Sequence, residues 1–308
     1  MKKNIIVGAR GSLLSAAQTR EAIRLMRAGS RGRGFVFRRI TTLGDRVKQW
    51  KRSDQGIFVK EIESALRGGS IDMAVHSVKD LPSRFPAGLC FGAVTKREEP
   101  RDILITRGRN PGLAGLKPSA IVGTTSLRRK AQVLRARPDL LVRDLRGNLD
   151  TRIKKLKSGL YDAIIVAAAG LKRLKIKGLN ARIIPEELML PAVGQGALGV
   201  EIRSGDAEAF GIARKIEHLN TRICVDCERA FLAATKAGCR MPVAGYARVR
   251  GRKISLEALI ISLDGKRCVR LSGQGRIDRA EKVGAGLAAR ILNNGGRKIL
   301  AEIKHGSD

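Results

Sequence analysis

One unit recurs along this chain and narrows its fold more than any other feature. A short apolar run ends in a turn rich in glycine, serine or threonine, and an amphipathic helix starts at once. Asn4 to Gly8 leads through Gly8-Ala9-Arg10-Gly11-Ser12 into a helical stretch to about Ala28. Ala120 to Gly123 leads through Thr124-Thr125-Ser126 into a helix over Leu127 to Ala136. Leu140 to Leu145 leads through Arg146-Gly147-Asn148 into Leu149 to Lys157, and Tyr161 to Ala167 leads to Gly170-Leu171-Lys172-Arg173. Strands alternating with helices at this spacing predict an α/β fold with parallel sheets built from βαβ units.

The intervening segments fill in the outline. Phe35 to Thr42, Leu89 to Val94, Asp102 to Thr106 and Leu198 to Ile202 read as further strands, and 206–217 and 221–236 as helices. The first helix has Leu13, Leu14, Ala17, Leu25 and Met26 available for its buried side. Ile57 to Arg67 reads as a helix with Phe58, Ile62, Ala65 and Leu66 inward and Lys60, Glu61 and Glu63 outward. Leu43 to Gly56 has no apolar period and is expected to be a long loop or flap. Asn110 to Pro118 is a Gly/Pro linker, and Lys96 to Arg101 a charged bend. The tail changes character: Val243 to Arg250, Ile254 to Leu263 and Lys266 to Ser272 alternate around the turn signal Asp264-Gly265, and a helix near 279–293 closes the chain. That is the pattern of a small antiparallel α+β unit.

A chain of 308 residues with 43% apolar content has room for two or three cores. Its longest apolar run, Ala163 to Leu171, falls far short of the roughly 20 residues a membrane span needs. Met1-Lys2-Lys3-Asn4 precedes too short an apolar run for a signal peptide, so a cytoplasmic location is expected. Five cysteines, an odd and scattered set, read as reduced thiols. Cys224 and Cys227 have metal-ligand spacing, but zinc would need two further ligands, and His76, His218 and His305 are the only histidines. The i,i+3 spacing fits two small residues on one helix face, so no metal is expected. The formal charge of +33 would attract polyanions. The basic residues are spread over the whole chain, and aromatics make up only 3%. Both facts argue for a compositional bias and against nucleic acid as a partner.

Chemistry concentrates at His76-Ser77-Val78-Lys79-Asp80-Leu81-Pro82, just past the apolar run Ile71 to Val75. Groups at a strand's carboxyl end are where open α/β sheets place ligands. Pro82 holds Leu81 extended and stops any helix, so Asp80 stands on a stiff turn. Arg10, Arg128, Arg129, Arg146, Arg152 and Arg173 all fall at or just after strand-to-helix turns, which share one edge in a parallel sheet. They are expected to face a common crevice and to take a ligand with several carboxylates or phosphates, with Asp80 the lone acid among them. Asp80 suits a role of holding cationic or N–H-bearing groups. His76 reads as a structural neighbour, and Ser12 and Ser126 as helix caps and not nucleophiles.

These motifs together resemble the porphobilinogen deaminase family, also called hydroxymethylbilane synthase. The resemblance spans nearly the whole chain, through Gly8 to Ser12, Phe58-Val59-Lys60-Glu61, His76 to Pro82, Gly123 to Arg129, Leu145 to Asn148 with Thr151-Arg152, Ala169 to Arg173, Pro191 to Ala197 and Gly238-Cys239. It implies two periplasmic-binding-protein-like domains around a cleft, 1–97 with 197–217 and 98–196, and a small C-terminal domain, 218–308, whose antiparallel sheet has three strands. It implies a dipyrromethane cofactor held by a thioether to Cys239, with porphobilinogen as substrate and a monomeric enzyme. Asp80 would be catalytic. Lys79, Ser126, Arg128, Arg129, Arg146, Gly147, Arg152 and Gln195 would bind cofactor, and Arg10, Ser12, Arg146, Arg152 and Arg173 substrate. Lys60 would border the flexible loop. Two positions depart from the family pattern: Gln55 replaces a lysine, and Ala237 replaces the first of two glycines. The rival readings are a non-catalytic polycarboxylate-binding module, which has no use for Asp80 or Cys239, and a nucleic-acid binder driven by charge.

Overall fold

The computed structural model describes residues 4–30, 32–42, 59–238 and 241–305. The expected loop over Leu43 to Gly56, together with Gln55, Phe58, Cys239 and the closing residues 306–308, lies outside them. The first sheet takes β1 (Asn4–Arg10), β2 (Gly34–Ile40), β3 (Met73–Ser77) and β4 (Leu89–Val94), with α1 (Leu13–Ala28) and α2 (Lys60–Arg67) packed on its faces. The second takes β5 (Asp102–Thr106), β6 (Ile121–Gly123), β7 (Leu141–Arg143), β8 (Ala163–Ala167) and β9 (Asn180–Ile183), with α3 (Leu127–Ala136), α4 (Leu149–Lys157) and α5 (Ala168–Arg173). The chain then returns to the first sheet with β10 (Leu198–Arg203), followed by α6 (Ala207–Ala213) and α7 (Leu219–Thr235). The final unit is an antiparallel sheet of β11 (Val243–Arg250), β12 (Lys253–Ile261) and β13 (Cys268–Arg276), with α8 (Ala280–Ile291) and α9 (Arg297–His305).

The sheets are mixed and not purely parallel, which corrects the expectation from the βαβ spacing. Their orders are β2-β1-β3-β10-β4 and β7-β6-β8-β5-β9. β10 runs antiparallel to β3 and β4, and β5 antiparallel to β8 and β9. In each sheet the antiparallel strand is the first one after a crossing between the sheets, β5 after 95–101 and β10 after 190–197. The crossings bind each other, with Glu98 N donating to Gly196 O at 3.2 Å.

Several finer expectations change. α1 buries Ala16, Thr19, Ala22, Ile23 and Met26 against the first sheet, whereas Leu13 is 61% exposed. Leu14 packs instead beside Gly170 of α5, so this helix serves two neighbours and its apolar residues divide between them. Glu63, expected to face outward, is buried. β9 and α9 were not anticipated: β9 is a short, exposed edge strand with little apolar pattern, and α9 follows a wide helical turn at Leu292–Gly296 that interrupts the period. The substitution at Ala237 is harmless to the backbone, because the left-handed residue at that corner is Lys236, with φ 51°.

The second crossing lies directly on the turn that carries Asp80. Val78 N donates to Ala197 O at 3.1 Å. Gly194 adopts φ +71°, and a Cβ there would come within 2.4 Å of Val78 Cγ1. Gly194→Ala should therefore cost ~1–2 kcal/mol for the left-handed backbone and ~1–3 kcal/mol for overpacking. The loss should appear as a lower denaturant midpoint with unchanged slope.

Candidate functional site

β3 ends in a single 3-10 turn, Val78–Asp80, and Leu81 then turns extended at φ −79° and ψ 146°. This is the stiff turn expected from Leu81-Pro82. Val78 and Leu81 are buried with Phe91, Val94 and Ala197, which anchors the turn and leaves Asp80 exposed and Lys79 half-buried between them. Ser12 and Ser126 cap α1 and α3, accepting from Ser15 N at 3.1 Å and Arg129 N at 3.5 Å. Their oxygens are committed to helix starts, in keeping with their reading as caps. His76 is buried, with Nε2 2.9 Å from Glu201 Oε2, so it is a structural neighbour of the turn.

The arginines do not form six free forks around one acid. Arg128 and Arg129 turn inward onto Asp102, a second acid that strand and helix patterns had not singled out. Arg128 Nη1 donates to Asp102 Oδ2 at 2.7 Å and to Leu190 O at 2.7 Å. Arg129 reaches Asp102 Oδ1 through Nε at 3.0 Å and Nη2 at 2.8 Å, and Ile165 O through Nη1 at 3.1 Å. Gln195 Nε2 donates to the same Oδ1 at 3.0 Å and to Pro100 O at 2.6 Å. Burial alone would push the Asp102 carboxyl up, but Arg128 and Arg129 outweigh it and hold it well below the usual carboxylate range. A legible signal existed: an acid opening an apolar strand in a chain so short of acids needs a cationic partner once buried. Arg173, nearly buried, pairs with Glu21 of α1 at 3.1 Å and donates to Gly196 O at 2.9 Å, joining α5 to the first sheet's helix and to the crossing.

The cations left near Asp80 are crowded. Lys79 Nζ has one long contact, 3.4 Å to Gln195 Oε1. Burial and then Arg129 and Arg128 lower its pKa to about 8, against the opposing charges of Asp80 and Asp102. Arg152 donates through Nε to Gly147 O at 2.8 Å, and its terminal nitrogens make no further hydrogen bond among the described residues. Burial and then Arg129 bring Arg152 down to about 10, with Asp80 opposing. Gly147 has φ +110°, and Thr151 leaves no room there for a Cβ, so this turn needs glycine. Arg146 is exposed beside Asp144, and Arg10 and Ser12 are half-buried at the end of β1. Lys60 is exposed at the start of α2.

A second buried carboxylate ties the crossings to the third unit. Glu228 of α7 accepts from Arg97 Nη2 at 2.9 Å, Gly194 N at 2.7 Å and Ala247 N at 2.8 Å. Cys224 and Cys227 are buried free thiols on the same helix, and burial pushes them up to about 11 and about 12, so they are poor nucleophiles. No group of three or more metal-binding side chains occurs among the described residues.

Residues 5–210 match the family described as "Porphobilinogen deaminase, dipyromethane cofactor binding domain", and residues 222–293 match "Porphobilinogen deaminase, C-terminal domain". A porphobilinogen deaminase from Desulforudis audaxviator is 45% identical over 100% of both chains. One from Thermus thermophilus is 43% identical over 97% of this chain and 99% of its own. Among solved structures, a probable amino-acid ABC transporter extracellular-binding protein from Bacillus subtilis covers 70% of this chain and 90% of its own at TM-score 0.46 and 12% identity, a likeness too distant to bear on function.

Asp102→Asn keeps the shape of the buried node but leaves Arg128 and Arg129 without a counter-charge. It should cost ~3–5 kcal/mol, the scale for breaking a buried ion pair, read from denaturant unfolding at neutral pH. Because the folded-state pKa of Asp102 is depressed, its contribution is present above the ordinary carboxylate range and lost as pH falls. The gap between wild type and variant should therefore narrow in acid.

Proposed function

The chain belongs to the porphobilinogen deaminase family, and from that premise we propose that Asp80 carries its chemistry and Cys239 its cofactor attachment. The enzyme joins four porphobilinogen molecules head to tail with loss of ammonia, using a dipyrromethane cofactor, and releases hydroxymethylbilane for tetrapyrrole synthesis. The residue roles rest on the sequence motifs together with the electrostatics around the turn.

The residues present fit such a cofactor. Each pyrrole ring bears an acetate and a propionate, and the site has cations in excess. Lys79 and Arg152 are both held below their ordinary values by burial and by neighbouring arginines, which marks a place where an added carboxylate relieves repulsion. Lys79, Ser126, Arg128, Arg129, Arg146, Gly147, Arg152 and Gln195 would hold it, and the Cys239 sulfur would form the thioether. When bound, the cofactor supplies the free pyrrole carbon at which growth starts.

Asp80 supports the central role because it is exposed at the end of a rigid turn, with its carboxylate set against the cations of Lys79 and Arg152. As the aminomethyl C–N bond of porphobilinogen breaks, the electrons leave with ammonia and the pyrrole nitrogen takes up positive charge. A carboxylate accepting that pyrrole N–H stabilises the charge as it develops and need not itself move. Arg10, Ser12, Arg146, Arg152 and Arg173 would orient the substrate carboxylates. Arg173 and the Arg128–Arg129 pair would act while still bonded to Glu21 and Asp102, as fixed parts of the wall.

The same proposal divides the chain into 1–97 with 197–217, 98–196 and 218–308, in line with membership of the three sheets. It places the enzyme in the cytoplasm as a monomer acting on a small polycarboxylate. No helix among the described residues is long and apolar enough to cross a membrane, which is compatible with that placement.

The observation that carries the reading is Asp80 on its buttressed turn amid under-neutralised cations. Asp80→Asn should retain the fold and lose turnover by about 10²–10³, the scale of one preorganised electrostatic contact; near-normal turnover would remove Asp80 from the role. Intact-mass measurement after exposure to porphobilinogen should show a covalent dipyrrole on the wild-type chain and the bare mass for Cys239→Ala. A bare wild-type mass would overturn the attachment.

A further inference from the structure

On the α2 side of the first sheet, at the strand that leads into the Asp80 turn, lies a group of titratable side chains that the chemistry above does not use. Glu63 of α2, His76 of β3 and Glu201 of β10 are 5%, 6% and 0% exposed. His76 and Glu201 bond at 2.9 Å across adjacent antiparallel strands, in which His76 is opposite Gly199. Oε1 of Glu63 and Oε1 of Glu201 are both buried with no hydrogen-bond partner among the described residues. Ile62, Leu66 and Ala74 of the same two elements belong to the apolar cluster beside them.

The charges around Glu63 are few. Arg67 and Lys60 of its own helix, together with His76, draw its pKa down, but burial and then Glu201 outweigh them and raise it. On the remaining packed elements, Asp72 is held by Ile6 N and by Arg203, and Arg203 is shared with Asp206. Arg10 closes β1, and Cys90 of β4 is half-buried. A dry carboxylate that leaves an oxygen unpaired beside a second acid is costly as an anion, and a proton on Glu63 removes most of that cost.

We propose that Glu63, His76 and Glu201 form a proton-holding positioning cluster for Asp80. Glu63 carries the proton, and the His76–Glu201 bond clamps β3 to β10. Together they fix the strand end from which the Val78–Asp80 turn springs, and hence where Asp80 is presented. The inference rests on the reading of Asp80 given above. These are positioning residues: they act through β3 and touch no reactant.

Two measurements on the whole enzyme test it. The first is the thermal midpoint from about pH 5 to about pH 9. A group whose folded-state pKa is raised stabilises the fold at low pH, and that contribution is lost as pH rises through the raised value. Relative to Glu63→Gln, which is permanently neutral, the wild-type midpoint should therefore fall as pH rises across that range; Lys79, whose pKa lies at about 8, contributes equally to both curves. A curve for Glu63→Gln parallel to wild type would overturn the proton assignment. The second is the kinetic split for Glu201→Gln and His76→Gln. Each should lower kcat by about 10-fold or more while KM changes by less than about 2-fold. Wild-type kcat in both would overturn the positioning role. If either of these variants fails to fold, the Glu63→Gln midpoint curve still decides. The difference between the Glu63→Gln curve and its parent should be the same in an Asp80→Asn background, so failure of the Asp80 reading and failure of the cluster are separate outcomes.

Discussion

The bonds made by the Asp102 carboxylate are the constraint on which the site depends. One buried acid accepts from Arg128, Arg129 and Gln195, and so joins β5, the start of α3 and the second crossing at one point. Two arginines could not stay buried side by side without it, since neither can lose its proton and each would be left desolvated and repelled. Gln195, held by this acid, is also the residue that Lys79 reaches. The geometry of the turn beside Asp80 thus depends on an ion pair built by the other sheet.

Glu228 does for the third unit what Asp102 does for the second. By binding Arg97, Gly194 N and Ala247 N, it fastens both crossings to β11 and α7. Gly194 in turn lies against Val78. The unit that precedes Cys239 is therefore mechanically continuous with the unit that carries Asp80, although no strand is shared between them. The surplus of basic residues looks different in this light. Some arginines are structural and neutralised, as at Asp102, Glu21 and Glu228. Lys79 and Arg152 are under-neutralised, which is what a polycarboxylate ligand requires of a binding surface.

Much of this was legible beforehand, and the reasons for success and failure are physical. Helix limits at Leu127–Ala136 and Leu149–Lys157 matched; Ser126 caps the first through its side chain, and Asn148 takes the extended N-cap conformation of the second without a side-chain bond. The Asp80 turn was read correctly because proline restricts its neighbour whatever surrounds it. Strand direction was misread, because direction depends on which sheet a crossing strand joins and leaves no trace in its own pattern. The buried side of α1 was misread because the helix packs on two bodies and a single apolar stripe does not describe it. Of the six arginines, Arg128 and Arg129 face Asp102 and Arg173 faces Glu21; the acid opening the β5 strand hinted at the first pairing, whereas Glu21 on α1 gave no local hint of the second.

By itself, the sequence determined the order and type of most elements, the stiff acidic turn, the helix caps and, through motifs spread along the chain, the family. These properties are written in neighbouring residues, where periodicity, capping and proline or glycine geometry act over a few positions. Only the tertiary structure decided which arginines are buried struts on acids, that Asp102 and Glu228 are the nodes between units, and that Glu63 lies in the dry with His76 and Glu201. Those outcomes turn on charges brought together from distant parts of the chain and stripped of water, and the strength of a charge is set by its surroundings more than by its identity.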